Sequence, residues 1–193
     1  MTAVLKTLRT RALGTAPLTI RAERVGDVAA RERLLDTCFG TNRNLRTCQR
    51  LRDGRVPAEG LAFTATQRGA LIGTLRLWHV RAGGVPALVL GPLAVEPSCR
   101  SLGVGAALMQ HAIAAAKARG HRAIVLLGDA PYYARFGFSA EKVARLVLPG
   151  PFERERLLGL ELEPGALAEA IGVAIATGVR APAVRRGKLP RAA

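Results

Sequence analysis

The stretch Val95-Glu-Pro-Ser-Cys-Arg-Ser-Leu-Gly-Val-Gly-Ala-Ala-Leu108 carries the clearest chemistry in the sequence. Gly103 and Gly105 allow a tight turn and a close approach of backbone to ligand, and the spacing predicts a long Ala-rich helix from about Val104 to Arg119. The first N–H groups of a helix have no partner within it, and the aligned peptide dipoles add positive potential there, so this turn suits an anion. Arg100 adds a mobile positive charge at its mouth, which suits a pyrophosphate. The same two glycines also fit a plainer reading, in which they only let the helix pack on a sheet. A dinucleotide site is a further alternative, with Asp129 near the place of a ribose-binding acid. Against it, Gly103 lies eight residues past Val95, Leu108 holds the third glycine position, and hairpins precede the turn.

The elements that must position this loop follow from periodicity. Leu18 to Ala22 reads as a strand, and Asp27 as the N-cap of a helix burying Val28, Leu34, Leu35 and Phe39. A second, polar helix is predicted from about Asn42 to Leu51. Leu61–Thr66 and Leu71–Val80 form a hairpin around Gln67-Arg68-Gly69-Ala70, and Ala87–Val95 continues the meander. Gly120 closes the long helix, and Arg122–Leu127 reads as a strand buried on both faces. A strand, a helix and a strand in succession make Ala87–Val95 and Ala123–Leu127 parallel neighbours. A short helix over Pro131–Arg135 and strands near Ala144–Leu148 and Leu157–Leu162 complete the pattern.

Composition sets the class. The chain has 193 residues, 49% hydrophobic and 22% charged, enough for one domain with a real core and incompatible with wholesale disorder. The longest apolar run, Ala166–Val179, is too short for a membrane span and contains Glu169. The formal charge of +15 comes from 29 Lys+Arg against 14 Asp+Glu. Nearly half of that excess sits in the two ends. The Arg-rich, Ala-rich usage is what a GC-rich bacterial genome produces, so no nucleic-acid partner is expected. Cys38, Cys48 and Cys99 are odd in number and lack paired spacing, which points to a reducing cytoplasm and away from a disulfide framework or a metal site.

Two motifs together carry a family resemblance. Arg100-Ser-Leu-Gly103-Val-Gly105 resembles the Arg/Gln-x-x-Gly-x-Gly/Ala signature of the GCN5-related N-acetyltransferase (GNAT) family. Tyr132-Tyr133-Ala-Arg-Phe-Gly137-Phe138 resembles the Tyr-x-x-x-Gly-Phe signature that closes the same fold. Leu90-Gly-Pro-Leu-Ala-Val95 and Leu127-Gly-Asp-Ala-Pro131 add a likeness to the YhbS-like branch. The resemblance covers roughly residues 18–163.

It implies an α/β (α+β) GNAT acyl-CoA N-acyltransferase fold: a mixed central sheet with an antiparallel N-terminal meander and one parallel strand pair splayed for CoA. It divides the chain into a flexible leader over 1–17, an N-acetyltransferase domain over 18–165 and a basic C-terminal tail over 166–193. Acetyl-CoA is the implied cosubstrate, with a primary amine as acceptor, no metal, no membrane and homodimer formation left open. Main-chain groups of Leu93, Ala94 and Val95 would pair with the pantetheine arm. Arg100 and the turn of Ser101, Leu102, Gly103, Val104, Gly105 and Ala106 would hold the pyrophosphate. Gly91-Pro92 fits a bulge that opens the strands, since Pro cannot donate to a ladder. Tyr133 matches the general acid that protonates the leaving thiolate, while Tyr132 packs or lines the acceptor site.

No general base is assigned. The strand Ala87–Val95 holds no Asp, Glu or His; Glu96 follows it, and His79 is the residue that could reach the acceptor side. The missing carboxylate motivates a second reading, a non-catalytic acyl-CoA-binding module. The acceptor pocket is expected from Arg31–Arg55 and Ala144–Leu162. There, Arg43, Arg46, Arg50 and Arg52 form either a solvated face or a site for an acidic substrate.

Overall fold

The computed structural model describes residues 16–182. The leader expected over 1–17 thus lies almost wholly outside the described residues, as do residues 183–193. Eight strands form one sheet: β1 (Thr19–Ala22), β2 (Ala62–Gln67), β3 (Ala70–Ala82), β4 (Val85–Val95), β5 (Ala123–Leu127), β6 (Leu146–Val147), β7 (Leu157–Glu161) and β8 (Gly172–Ala176). Three α-helices accompany them: α1 (Val28–Phe39), α2 (Val104–Ala118) and α3 (Ala130–Ala134). The sheet order is β1-β2-β3-β4-β5-β7, with β8 pairing β3 and β6. All pairs on the main path are antiparallel except β4 with β5, which is the parallel pair the sequence predicts.

Alternation along the three central strands sorts the core into two layers. Leu75, Leu77, Leu88, Leu90, Ile124 and Leu126 face α2, where Leu108, Met109, Ala112 and Ala116 form the facing stripe. Trp78, Val80, Val89, Ala123 and Val125 face the opposite way, against Leu51, Val143, Leu146 and Leu157. Helix α1 lays Leu34 and Leu35 on Ala94 of the same side. Helix α2 comes so close to β3 that a Cβ on Gly73 would stand 2.9 Å from Leu108 and 3.1 Å from Val104.

The parity of β4 changes midway. Leu75 pairs Leu93 and Leu77 pairs Leu90, so two steps on β3 match three on β4. The extra residue is a bulge at Gly91-Pro92, where the peptide bond is cis and Gly91 has φ 134°. Even-numbered Leu88 and Leu90 therefore share a face with odd-numbered Leu93 and Val95.

Three expectations change. The polar helix over 42–51 is two short 3-10 turns, Thr41–Leu45 and Thr47–Leu51, separated by an extended Arg46. Thr and Asn are poor helix formers, and the turns are held instead by packing of Leu51, 1% exposed. Asp27 does not cap α1 with its side chain; its carboxylate takes two bonds from Arg21, at 2.6 and 2.9 Å, and one from the Arg24 amide. Those bonds hold Asp27 down at about pKa 2, the Arg21 bond first.

The third change concerns the end of the chain. The tail set at 166–193 begins inside the fold: Ala166, Leu167, Ala170 and Ala174 are buried. Strand β8 covers Val80–Ala82 on the edge of β3 that β2 leaves free, and pairs β6 in parallel. Beyond it, Val56 N–H donates to Val179 O and Ala181 N–H to Gly54 O, both at 2.9 Å. The ordered domain thus reaches at least residue 181.

A charge at the buried face of β8 tests this boundary. Ala174→Asp should cost about 3 kcal/mol in urea unfolding, because the carboxylate has no partner there. Val173→Asp, on the exposed face, should stay within about 0.5 kcal/mol. Equal, small effects would place β8 outside the cooperative fold.

Candidate active site

The parallel pairing between β4 and β5 is brief: Leu88 opposes Ile124 and Val89 opposes Val125, and no further pair follows. Past the bulge, Glu96 N–H donates to Ile72 O, so in an antiparallel ladder Ala94 and Glu96 turn their main-chain groups toward β3. The main-chain groups of Leu93 and Val95 therefore lie along the open edge. Ala94 faces the other way, its side chain buried against α1. The bulge is held from below by Trp78, whose indole N–H donates to Gly91 O at 2.6 Å.

A cavity of about 1050 Å³ occupies the opening. That is the upper end of the range for small-molecule sites, about 300–1,000 Å³. One wall is Leu90, Gly91, Pro92 and Leu93, the facing wall Leu126 to Asp129, and Tyr132, Tyr133 and Arg100 close it toward α2. The rest of the wall comes from residues between Phe39 and Arg52 and between Pro151 and Arg156, which fall within the two segments from which an acceptor pocket is expected. These two segments are tied together: the Thr47 hydroxyl donates to Pro151 O, and Arg50 donates to Pro149 O at 2.7 Å.

Helix α2 opens beside this cavity. Gly103 stands at its N-cap with φ 81° and Ser101 has φ 64°, the left-handed conformations that turn successive amides outward. The first helical bond runs from Ala107 N–H to Gly103 O. Among the described residues, no amide from Ser101 to Ala106 donates to a main-chain carbonyl. Residues 101–106 do not line the cavity wall themselves; Arg100 does, and Tyr132 links the two. A Cβ on Gly105 would stand 2.8 Å from the Tyr132 hydroxyl, so only glycine leaves that phenol its place over the first turn of α2. Arg135 stacks on the other side of the Tyr132 ring, 4.1 Å from its centroid.

Tyr133 is packed harder. A Cβ on Gly128 would stand 2.8 Å from its Cδ2, and its ring meets those of Tyr132 and Phe138 edge-on. Burial, helped by Tyr132 and opposed by Arg156, pushes its phenol up to about 12. The hydroxyl is therefore protonated throughout the physiological range, as a proton donor must be.

Other expectations divide. His79 does not reach the cavity: its ring stacks 5.3 Å from that of His121 and its carbonyl accepts from Thr177 and Gly178 near β8. Glu96 is not on the cavity wall either, whereas Asp129 and Glu153 are. Sequence reasoning weighed Asp129 only as a ribose ligand and passed over Glu153 and Arg156. Their signal was present in the Leu127-Gly-Asp-Ala-Pro131 motif and in the predicted acceptor segment. Cys48 lines the cavity with its thiol pushed up by burial, which keeps it unreactive. Among the described residues, no cluster of His, Cys, Asp or Glu is placed to hold a metal, and no helix is long and apolar enough to cross a membrane.

A family model for the acetyltransferase (GNAT) family matches residues 29–138, from α1 to the end of the Tyr-Tyr motif. The chain belongs to the GNAT acetyltransferase family. Among solved structures it is similar to the GNAT N-acetyltransferase YhbS of Escherichia coli, determined with CoA: 26% identity, TM-score 0.72, 84% of this chain and 91% of that one. It is also similar to a GNAT acetyltransferase of Brucella melitensis determined with acetyl-CoA, at 26% identity and TM-score 0.57, over 75% and 96% of the two chains. The ribosomal-protein-S18-alanine N-acetyltransferase of E. coli, at 17% identity and TM-score 0.53, shares the fold over 76% and 95%. No curated protein sequence matches the chain significantly. The GNAT fold accounts for the mixed sheet and the parallel pairing of β4 with β5.

The indole bond that holds the bulge is open to test. Trp78→Phe keeps the ring and leaves Gly91 O unpaired, and should lower stability by about 1–3 kcal/mol in chemical unfolding. An unchanged midpoint would show that the bulge does not depend on it.

Proposed function

We propose that the protein transfers an acetyl group from acetyl-CoA to a primary amine by direct attack on the thioester. The observation that carries this reading is the row of free amides from Ser101 to Ala106, set beside a cavity that opens between two parting parallel strands. The pantetheine arm would extend along the open edge of β4, bonding the main-chain groups of Leu93 and Val95 like an added strand. Those amides and Arg100 would hold the diphosphate, with the Tyr132 hydroxyl as a further donor next to Gly105. The CoA and acetyl-CoA complexes of the E. coli and Brucella proteins support coenzyme A as the ligand.

The amine must arrive neutral. Asp129 and Glu153 are the carboxylates on the cavity wall, and either takes the proton of an incoming ammonium directly or through water. As the amine attacks the carbonyl carbon, negative charge develops on the oxygen. Collapse then breaks the carbon–sulfur bond and releases a thiolate, while the nitrogen, cationic after its attack, gives its extra proton to solvent water and leaves a neutral amide. Tyr133 gives that sulfur its proton; its depressed acidity keeps the proton available until the leaving group calls for it.

Acetyl-CoA supplied with a panel of amines should release free thiol in proportion to acetylated amine. Tyr133→Phe should lower kcat roughly 10²-fold or more while CoA still binds. The alkaline limb of the kcat profile should not reflect ionisation of Tyr133 until pH approaches about 12. CoA binding without turnover on any amine would favour a regulatory acyl-CoA module; full activity in the Phe variant would remove Tyr133 from the mechanism.

A further inference from the structure

The arginines of the acceptor wall are not equivalent. Arg43 is neutralised by Glu32 and by Asp36, the latter at 2.7 Å. Arg50 is spent on Pro149 O. Arg156 lies 3.8 Å from Glu153. Arg46 caps the Phe39 ring, 5.0 Å from its centroid, and has no carboxylate among the described ion pairs.

Arg52 stands apart from all of them. Its Nε donates to Cys48 O at 3.2 Å, and Nη1 sits 3.5 Å from where a Cβ would stand on Gly91. It is only partly exposed, it lines the cavity, and no described carboxylate comes within ion-pair distance. Burial pulls its pKa below the usual arginine value, against the Cys48 thiol and the neighbouring Asp53 carboxylate, and the charges of Arg43 and Arg46 add to the fall. A guanidinium stays charged regardless, so this wall holds a partly buried cation with four N–H donors unused by the protein and, among the described residues, no carboxylate within ion-pair distance. Its place is fixed by the strand opening itself, because it leans on the bulge that parts β4 from β5.

We propose that Arg52, assisted by Arg46, is the specificity-determining group of the acceptor site, and that the acceptor is a small primary amine that carries a carboxylate. The proposal rests on the transferase reading above and narrows its substrate class. A carboxylate matches the planar fork of a guanidinium with two parallel bonds. The same molecule's amine is then held inside the same cavity, whose carboxylates are Asp129 on the β5 wall and Glu153 beside Arg156. A cation without a paired carboxylate and a carboxylate on the facing wall fit a molecule with both charges. In the proposed function coenzyme A has its own cation in Arg100, which precedes α2 and also lines the cavity.

Two measurements test it. The first is turnover of acetyl-CoA with free amino acids (alanine, phenylalanine, glutamate) against their carboxamides. Wild type should prefer the acids by about tenfold or more in kcat/KM, the worth of one charge-assisted pair. Arg52→Gln should bring that ratio close to one through KM, and Arg52→Lys should restore part of it. The second needs no turnover: calorimetric binding of the N-acetyl amino acids and of their carboxamides to the protein with CoA bound. Acids should bind wild type and lose about tenfold or more in Arg52→Gln. Amides accepted as well as acids, acids that fail to bind, or an Arg52→Gln loss equal for acid and amide would overturn the proposal while leaving acetyl transfer intact. Arg52-dependent carboxylate binding with no turnover on any amine would instead uphold this site and overturn the transferase reading.

Discussion

Strand β4 cannot stay paired with β5 beyond Val89, because its next residues include a glycine in the left-handed region and a proline with no N–H to give to a ladder. The site depends on that failure. It leaves the main-chain groups of Leu93 and Val95 without a strand partner on the β5 side, the Val95 carbonyl accepting only from the Cys38 thiol at 3.3 Å, and it opens the space that the cavity fills. The inserted residue also flips the parity of β4, which keeps Leu93 and Val95 packed on the α2 side after the opening. Trp78 stabilises the arrangement from the other face of the sheet by taking the carbonyl of Gly91. Arg52 rests against the same glycine, so the open edge of β4 and the wall made by residues 39–52 share one structural corner.

Charge is distributed around this corner with some economy. A chain of ion pairs runs from Arg76 to Glu23, on through Arg31 and Glu32 to Arg43, and ends at Asp36. Burial raises the pKa of Glu23 in spite of Arg31, while Glu32, although burial opposes it, is held low by bonds from Arg31 and Arg43. This network ties the first strand and α1 to the cavity rim and neutralises Arg43 there. Arg52 and Arg46 are left outside it. At the other end, burial of Tyr133 against Gly128 retains a proton close to the strand opening. In the proposed reaction, one end binds charge and the other moves a proton.

Most of the frame was legible in the residues. The period of two in β2 to β5, the Ala-rich spacing of α2 and the glycines at 69, 103 and 120 fix elements that the structure places within a few residues of expectation. The paired motifs identify the family, and Arg100, Leu93 and Tyr133 line one cavity. What was hidden depends on long-range contact. Strand β8 has only Val173, Ala174 and Ile175 to mark its alternation, and its outward residues are the larger ones, so the segment reads as an apolar run in a basic end. The 3-10 turns of 41–51 follow from anchoring to residues 149–151, a contact between segments about a hundred residues apart. The difference between Arg52 and its neighbours is likewise invisible in a row of arginines, since it lies in which of them find carboxylates.

The central claim is that the turn from Ser101 to Ala106 grips a diphosphate. Amide proton shifts of these residues, followed by NMR during titration, report on that grip directly. With CoA, the account predicts large, saturable shifts at Ser101 to Ala106 together with shifts at Leu93 and Val95. With pantetheine, which lacks the phosphates, only the strand residues should respond. A titration in which CoA saturates the protein while the turn's amides stay where they were would contradict the account.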